Sequence, residues 1–287
     1  MIGFGVKAAL VPLHTWLPDA HSQAPSGISA MLSGVVIEAG LLAMLRTVGA
    51  LAGVTSMWGF LLMGFGAVNM LFGNLMALRQ QQVKRLLAYS SLVNVGYMLV
   101  GIGIGVAYHQ VNGTQGGLFH LFNHGLMKGL AFLAAGTLLY GLHIARGDHN
   151  PLTIDDLAGA SRRYPLVAFT FSVALLGLGG LPPLAGFMSK WQIFLAGYQS
   201  QQGWAEALVI FAALNSVLSL GYYAPLVNRM YRHEPGEIIQ QGKPVPILMT
   251  IPLVLMILAI VVIGLWPSLM NWLVGPAGMA LLAAFGG

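Results

Sequence analysis

Between residues 119 and 136 the chain reads FHLFNHGLMKGLAFLAAG, with His120, His124 and Lys128 four apart among apolar and small neighbours. On an α-helix each step of four turns by about 40° and rises about 6 Å, so the three make one stripe roughly 12 Å long on a single face. Imidazole titrates near neutrality, and a lysine in a poorly solvated site can be brought into that range, so such a stripe can hand on protons. Two histidines four apart could also hold a metal or haem. No carboxylate or third ligand is near in sequence, however, and the lysine next in line would repel a cation. For either histidine alone, hydrogen bonding to a neighbouring helix is the plain structural alternative.

Three more ionisable residues lie in apolar runs: Lys7, Glu38 and Lys190. Each costs about 2.5–3.5 kcal/mol inside a membrane on insertion scales, which makes function the default reading. Glu38 could instead form an ion pair with Lys7, and Lys190 could extend its stem to the interface. His21, His109, His149 and His233 fall in connecting segments, where they are expected to titrate in water without a role.

The elements that position these groups must be membrane helices. The 287 residues are 57% hydrophobic and 7% charged, against about 25% charged in soluble domains. Spans are predicted at 28–48, 54–78, 86–107, 117–142, 165–196, 206–231 and 246–274, with an eighth, short one near 1–13 whose upstream part is expected to precede Met1. The run at 165–196 contains GLGGLPPLAGF, whose two prolines and flanking glycines should break the helix in mid-membrane just before Lys190. Lys7, five residues before Pro12, is a weaker echo of that arrangement.

There are no cysteines, which excludes disulfides, thiolate metal sites and iron–sulfur ligation, and no cofactor is expected. The net charge of +5 does not indicate nucleic acid, because the basic residues lie in short loops. Threading the spans alternately puts Arg79, Lys84, Arg85, Arg146, Arg162, Arg163, Arg229, Arg232 and Lys243 on one side, with only Arg46 on the other. By the positive-inside rule the first side, including TWLPDAHSQAPSG, is cytoplasmic and the C-terminus faces away.

Four segments in order, VKAALVPLHTWLPDAHSQAPS at 6–26, VKRLLAYSSLVNVGYM at 83–98, the 119–136 stretch and GLPPLAGFMSKW at 180–191, resemble the antiporter-like membrane subunits of respiratory complex I, energy-converting hydrogenases and Mrp-type antiporters. The resemblance covers nearly the whole chain. It implies an all-α polytopic fold of about 7–8 transmembrane helices, some discontinuous, forming the second half of a 14-helix inverted-repeat subunit whose first half is missing. Residues 1–287 would then be one transmembrane domain. The resemblance also implies a proton relay at Lys7, Glu38, His120, His124, Lys128 and Lys190, in a redox-driven subunit of an NADH:quinone oxidoreductase-type translocase. Its implied partners are other membrane subunits, the bilayer and protons or Na+, with no nucleic acid, in a prokaryotic cytoplasmic membrane. An Mrp-type Na+/H+ antiporter, a hydrogenase subunit, an ion-coupled carbon-uptake subunit and a non-pumping scaffold are the alternatives. Two positions depart from the pattern: Glu38, in LSGVVIE, stands where relatives commonly have lysine, and Asn94 stands where many have histidine. The glutamate that partners the first lysine in these subunits would lie upstream of Met1.

Overall fold

A computed structural model describes residues 2–146 and 150–286. Its helices in chain order are α1 (Ile2–Lys7), α2 (Trp16–Gln23), α3 (Ser26–Met31), α4 (Ile37–Ala50), α5 (Trp58–Ala77), α6 (Val83–Tyr108), α7 (Val111–Arg146), α8 (Ala160–Arg163), α9 (Pro165–Gly179), α10 (Ala185–Gln199), α11 (Gly203–Arg232), α12 (Glu237–Gln241), α13 (Ile247–Leu265) and α14 (Asn271–Ala284). A π-helical turn at Leu32–Val36 joins α3 to α4 into one rod. Among the described residues six rods are long and apolar enough to cross a membrane: α3–α4, α5, α6, α7 as far as His143, α11 and α13.

Two expectations change. The predicted span at 246–274 ends at Leu265. A 3-10 turn at Pro267–Met270 follows, and then α14, which lies against the starts of α7 and the end of α4. The segment 14–27, read as a loop, is largely helix α2.

α6 is the central post, buried along nearly its whole length. Glycines seven apart bring α5 against it: a Cβ on Gly66 would sit 2.7 Å from the Gly96 carbonyl, and one on Gly103 2.7 Å from that of Gly59. In lipid no hydrophobic force drives helices together, so such small-residue seams supply the packing contacts.

Both interruptions leave backbone groups without helical partners at membrane depth, and in both side chains take them over. Between α1 and α2, the Val11 amide donates to Asn69 Oδ1 at 2.8 Å and Trp16 Nε1 donates to the Val6 carbonyl at 2.7 Å. Between α9 and α10, the carbonyls of Leu178 and Gly179 would normally accept from residues 182 and 183, which are prolines and have no N–H. Lys190 Nζ donates to Leu178 instead at 2.8 Å, and Ser216 Oγ to Gly179 at 2.9 Å.

Candidate functional site

The stripe on α7 is fully buried: His120, His124 and Lys128 are each 0% exposed. Its members do not hydrogen-bond one another. They reach sideways to three neighbouring helices, α4, α6 and α10. Lys128 Nζ donates to the Leu87 carbonyl at 2.6 Å and to Ser90 Oγ, both on α6. His124 Nδ1 is 2.7 Å from Glu38 Oε1 on α4. His120 Nε2 is 3.1 Å from Asn94 Oδ1, and its Nδ1 is 2.9 Å from Ser189 Oγ on α10. Because Asn94 Nδ2 donates to the Ser90 carbonyl at 2.7 Å, its oxygen must face His120. A neutral His120 therefore carries its proton on Nε2 and accepts from Ser189 on Nδ1.

Lys190 follows Ser189 and is likewise buried. Its ammonium sits at the C-terminal end of α9, where a cation complements the helix dipole, and 4.4 Å from the centroid of the Tyr97 ring. Tyr97 also meets His120 edge-on at 5.7 Å and anchors its hydroxyl on the Ala212 carbonyl of α11. Lys190 donates onward to Ser216 at 3.0 Å. The interfacial alternative for Lys190 is thereby excluded. A row of acids, bases and hydroxyls runs across the bundle from Glu38 on α4, through α7 and α6, to Lys190 on α10 and Ser216 on α11.

Glu38 departs from one of its two readings. The ion pair with Lys7 is not formed: the carboxylate pairs with His124. Lys7 is exposed, its stem against Gly40 of α4, because the six-residue α1 has helices on one side only. The structure brings together five of the six predicted residues and leaves Lys7 apart.

His21 is the second correction. It is 0% exposed and stacked on Phe132 of α7 at 4.6 Å, and neither ring nitrogen has a hydrogen-bond partner among the described residues. It is buried because α2 packs as a helix on α6 and α7. His109 and His233 are exposed, and His149 lies outside the described residues. Ser90, Ser189, Tyr97 and Ser216 belong to the row as well. The polar spacing of Ser90 and Asn94 in AYSSLVN, four apart like the α7 stripe, is the signal that points to α6.

The fold and the site define an all-helical integral membrane protein in which interrupted helices flank a buried row of acids and bases. The chain belongs to the family described as NADH:quinone oxidoreductase/Mrp antiporter, TM, which it matches over residues 1–219. It is 36% identical to F(420)H(2) dehydrogenase subunit N of Methanosarcina mazei, over 98% of this chain and 56% of that one. It is 37% identical to NADH-quinone oxidoreductase subunit N of Trichlorobacter lovleyi, over 83% of this chain and 46% of that one. Among solved structures it resembles a chain of respiratory complex I from Thermus thermophilus (TM-score 0.82, 28% identity, 99% of this chain and 57% of that one). It also resembles a chain of the archaeal membrane-bound sulfane sulfur reductase (TM-score 0.80, 34% identity, 98% and 54%). The chain thus spans about half the length of these relatives.

Proposed function

We propose that this chain is the second half of an antiporter-like subunit that translocates protons through the row from Glu38 to Lys190, driven by a redox reaction carried out elsewhere in an NADH:quinone oxidoreductase-type complex. Its partners in that reading are other membrane subunits, and its membrane is a prokaryotic cytoplasmic membrane. The observation that carries the proposal is the sideways pairing of the stripe. Glu38, His124, Lys128, His120 and Lys190 come from three separate helices, and each already holds a partner able to give or take a proton. Lys128, His120 and Lys190 lie within electrostatic reach of His124, so a proton arriving at one changes the cost of protonating the next. Lys7 enters the relay only if a further segment covers it.

The test is Lys190→Met in the intact complex, reconstituted into vesicles and driven by its electron donor. Methionine is of comparable length and leaves the packing near Tyr97 in place. Proton uptake per electron should fall while the complex still assembles on native gels. An unchanged proton-to-electron ratio would exclude Lys190 from the path. A hydrogenase-type redox partner is the second reading, favoured by 38% identity over 75% of this chain to hydrogenase-4 component B of Escherichia coli. Hydrogen evolution by the purified complex, without quinone reduction, would select it.

A further inference from the structure

Three open clefts that share lining residues follow one another along the α3–α4 rod and α7. One, about 460 Å³, reaches Glu38 and is walled by Gly34, Gly125, Gly129, Leu133 and Met256. It shares Gly27 and Leu133 with the next, about 420 Å³. That one shares Ser26, Leu139 and His143 with a third, about 490 Å³, whose rim includes Ser22, Gln23, Gln82 and Lys84. The groove therefore runs from a polar, basic mouth beside the Arg- and Lys-rich loops to an apolar end at mid-span. From Ser26 to Glu38 the rod advances about 18 Å, close to one leaflet of a hydrocarbon core about 30 Å thick. The seam is pinched near its inner end, where a Cβ on Gly34 would lie 2.9 Å from the Gly125 carbonyl, whereas Gly27 faces open space.

We propose that this groove holds one anionic phospholipid, its headgroup at Lys84 and one acyl chain laid past Gly27 and Gly129 until it ends against Glu38. Water is a poor occupant of the inner part, because an apolar cavity offers too few polar partners. A partner helix cannot enter the groove: with side chains it is about 10 Å across and would fill roughly 1,400 Å³ over that length, against about 460 and 420 Å³ in the two inner clefts, so it would lie only across their mouth. The headgroup is anionic because Lys84 has no acidic partner among the described residues. It gives one proton to the Ala24 carbonyl at 2.8 Å, while neighbouring Arg85 is paired with Asp19. Basic recesses between membrane helices bind acidic headgroups in this way.

Native mass spectrometry of the full chain, mixed in mild detergent with equimolar phosphatidylglycerol and phosphatidylcholine, tests this. One phosphatidylglycerol per chain should be retained in preference to phosphatidylcholine. Gly27→Phe, whose ring enters the open space, should lower the retained fraction by about tenfold or more. Lys84→Gln should keep a lipid but lose the preference. Size-exclusion elution and circular dichroism establish that each variant is folded, and the Lys84→Gln comparison stands if the phenylalanine variant is not. Retention of no lipid by the parent chain, equal retention of the two lipids, or unimpaired retention by folded Gly27→Phe would each overturn the proposal. A co-purifying subunit found in the groove in place of lipid would overturn it as well.

Discussion

His124 is the residue at which relay and scaffold roles separate most cleanly. Its Nδ1 is held by Glu38 while its Nε2 has no partner among the described residues, so one nitrogen is committed and the other is left for the exchange of a proton. If that exchange is its purpose, a replacement that admits water should do better than one that fills the space with hydrocarbon. His124→Ala should retain more proton uptake than His124→Leu, with leucine lowering it by roughly tenfold or more, about 1.4 kcal/mol in the barrier. A purely structural histidine gives the reverse order, because the cavity left by alanine is the costlier change. Glu38→Gln should be more damaging to uptake than to stability, since the amide preserves the shape and a hydrogen bond to His124 but carries no exchangeable charge. Uptake in vesicles beside a thermal-unfolding measurement separates the two. The α7 stripe was legible in the sequence because a four-residue spacing fixes a helix face whatever surrounds it. The partners Ser90, Ser189 and Tyr97 were not, because they come from 23 to 69 residues away and only folding places them. His21 was misread for a related reason: PDAHSQ has the composition of a loop, and only the Arg85–Asp19 pair and the stacking on Phe132 account for its place as a buried helix.

At the scale of the elements, the site depends on two rods approaching closely enough for a carboxylate to meet an imidazole. The π-helical turn just before Glu38 contains Gly34, and Gly34 and Gly125 lie backbone to backbone. Extra-wide turns of this kind often accompany functional sites in helices. A Cβ on Gly125 would stand 2.8 Å from the Gly34 carbonyl and 3.2 Å from Glu38 Oε2. Gly125→Ala should therefore push α4 from α7, cost about 1–3 kcal/mol of stability and impair uptake with it. Gly64→Ala on α5, where a Cβ meets nothing within 4 Å, should be neutral or, through helix propensity, stabilising by up to about 1 kcal/mol. Comparable melting temperatures for the two variants would show that the approach of the rods is not tight. The interruption at 180–184 was readable from sequence because two adjacent prolines delete two defined N–H donors. The extra helix α14 was not, since 246–274 is apolar throughout and hydropathy alone cannot see Trp266 and Pro267 turn the chain aside.

For the whole molecule, the question is which end faces which compartment. The loops rich in Arg and Lys are tied together at one end: Arg85 pairs with Asp19, Arg229 with Asp155, Arg162 with Glu234 through both carboxylate oxygens, and Gln82 bridges to Thr153. Exposed pairs of this kind add little stability, but they gather the basic loops into a single face. At the other end Asn112 meets Gln199, Thr114 meets Gly278 and Gly49 lies against Ala284, so the chain after Trp272 shares a face with the 51–56 turn. The segregation read from charge alone is thus the segregation that packing produces. By the positive-inside rule the excess of Lys and Arg predicts that the first face is the cytoplasmic one. Because the chain has no cysteine, one introduced thiol reports one position without background. Gln240→Cys and Ser56→Cys are both at exposed residues on opposite ends. In inside-out vesicles a membrane-impermeant maleimide should label Gln240→Cys and leave Ser56→Cys untouched, and in right-side-out vesicles the pattern should invert. Labelling of Ser56→Cys alone in inside-out vesicles would reverse the orientation, and with it the side of the membrane from which the proposed relay between Glu38 and Lys190 would take up protons.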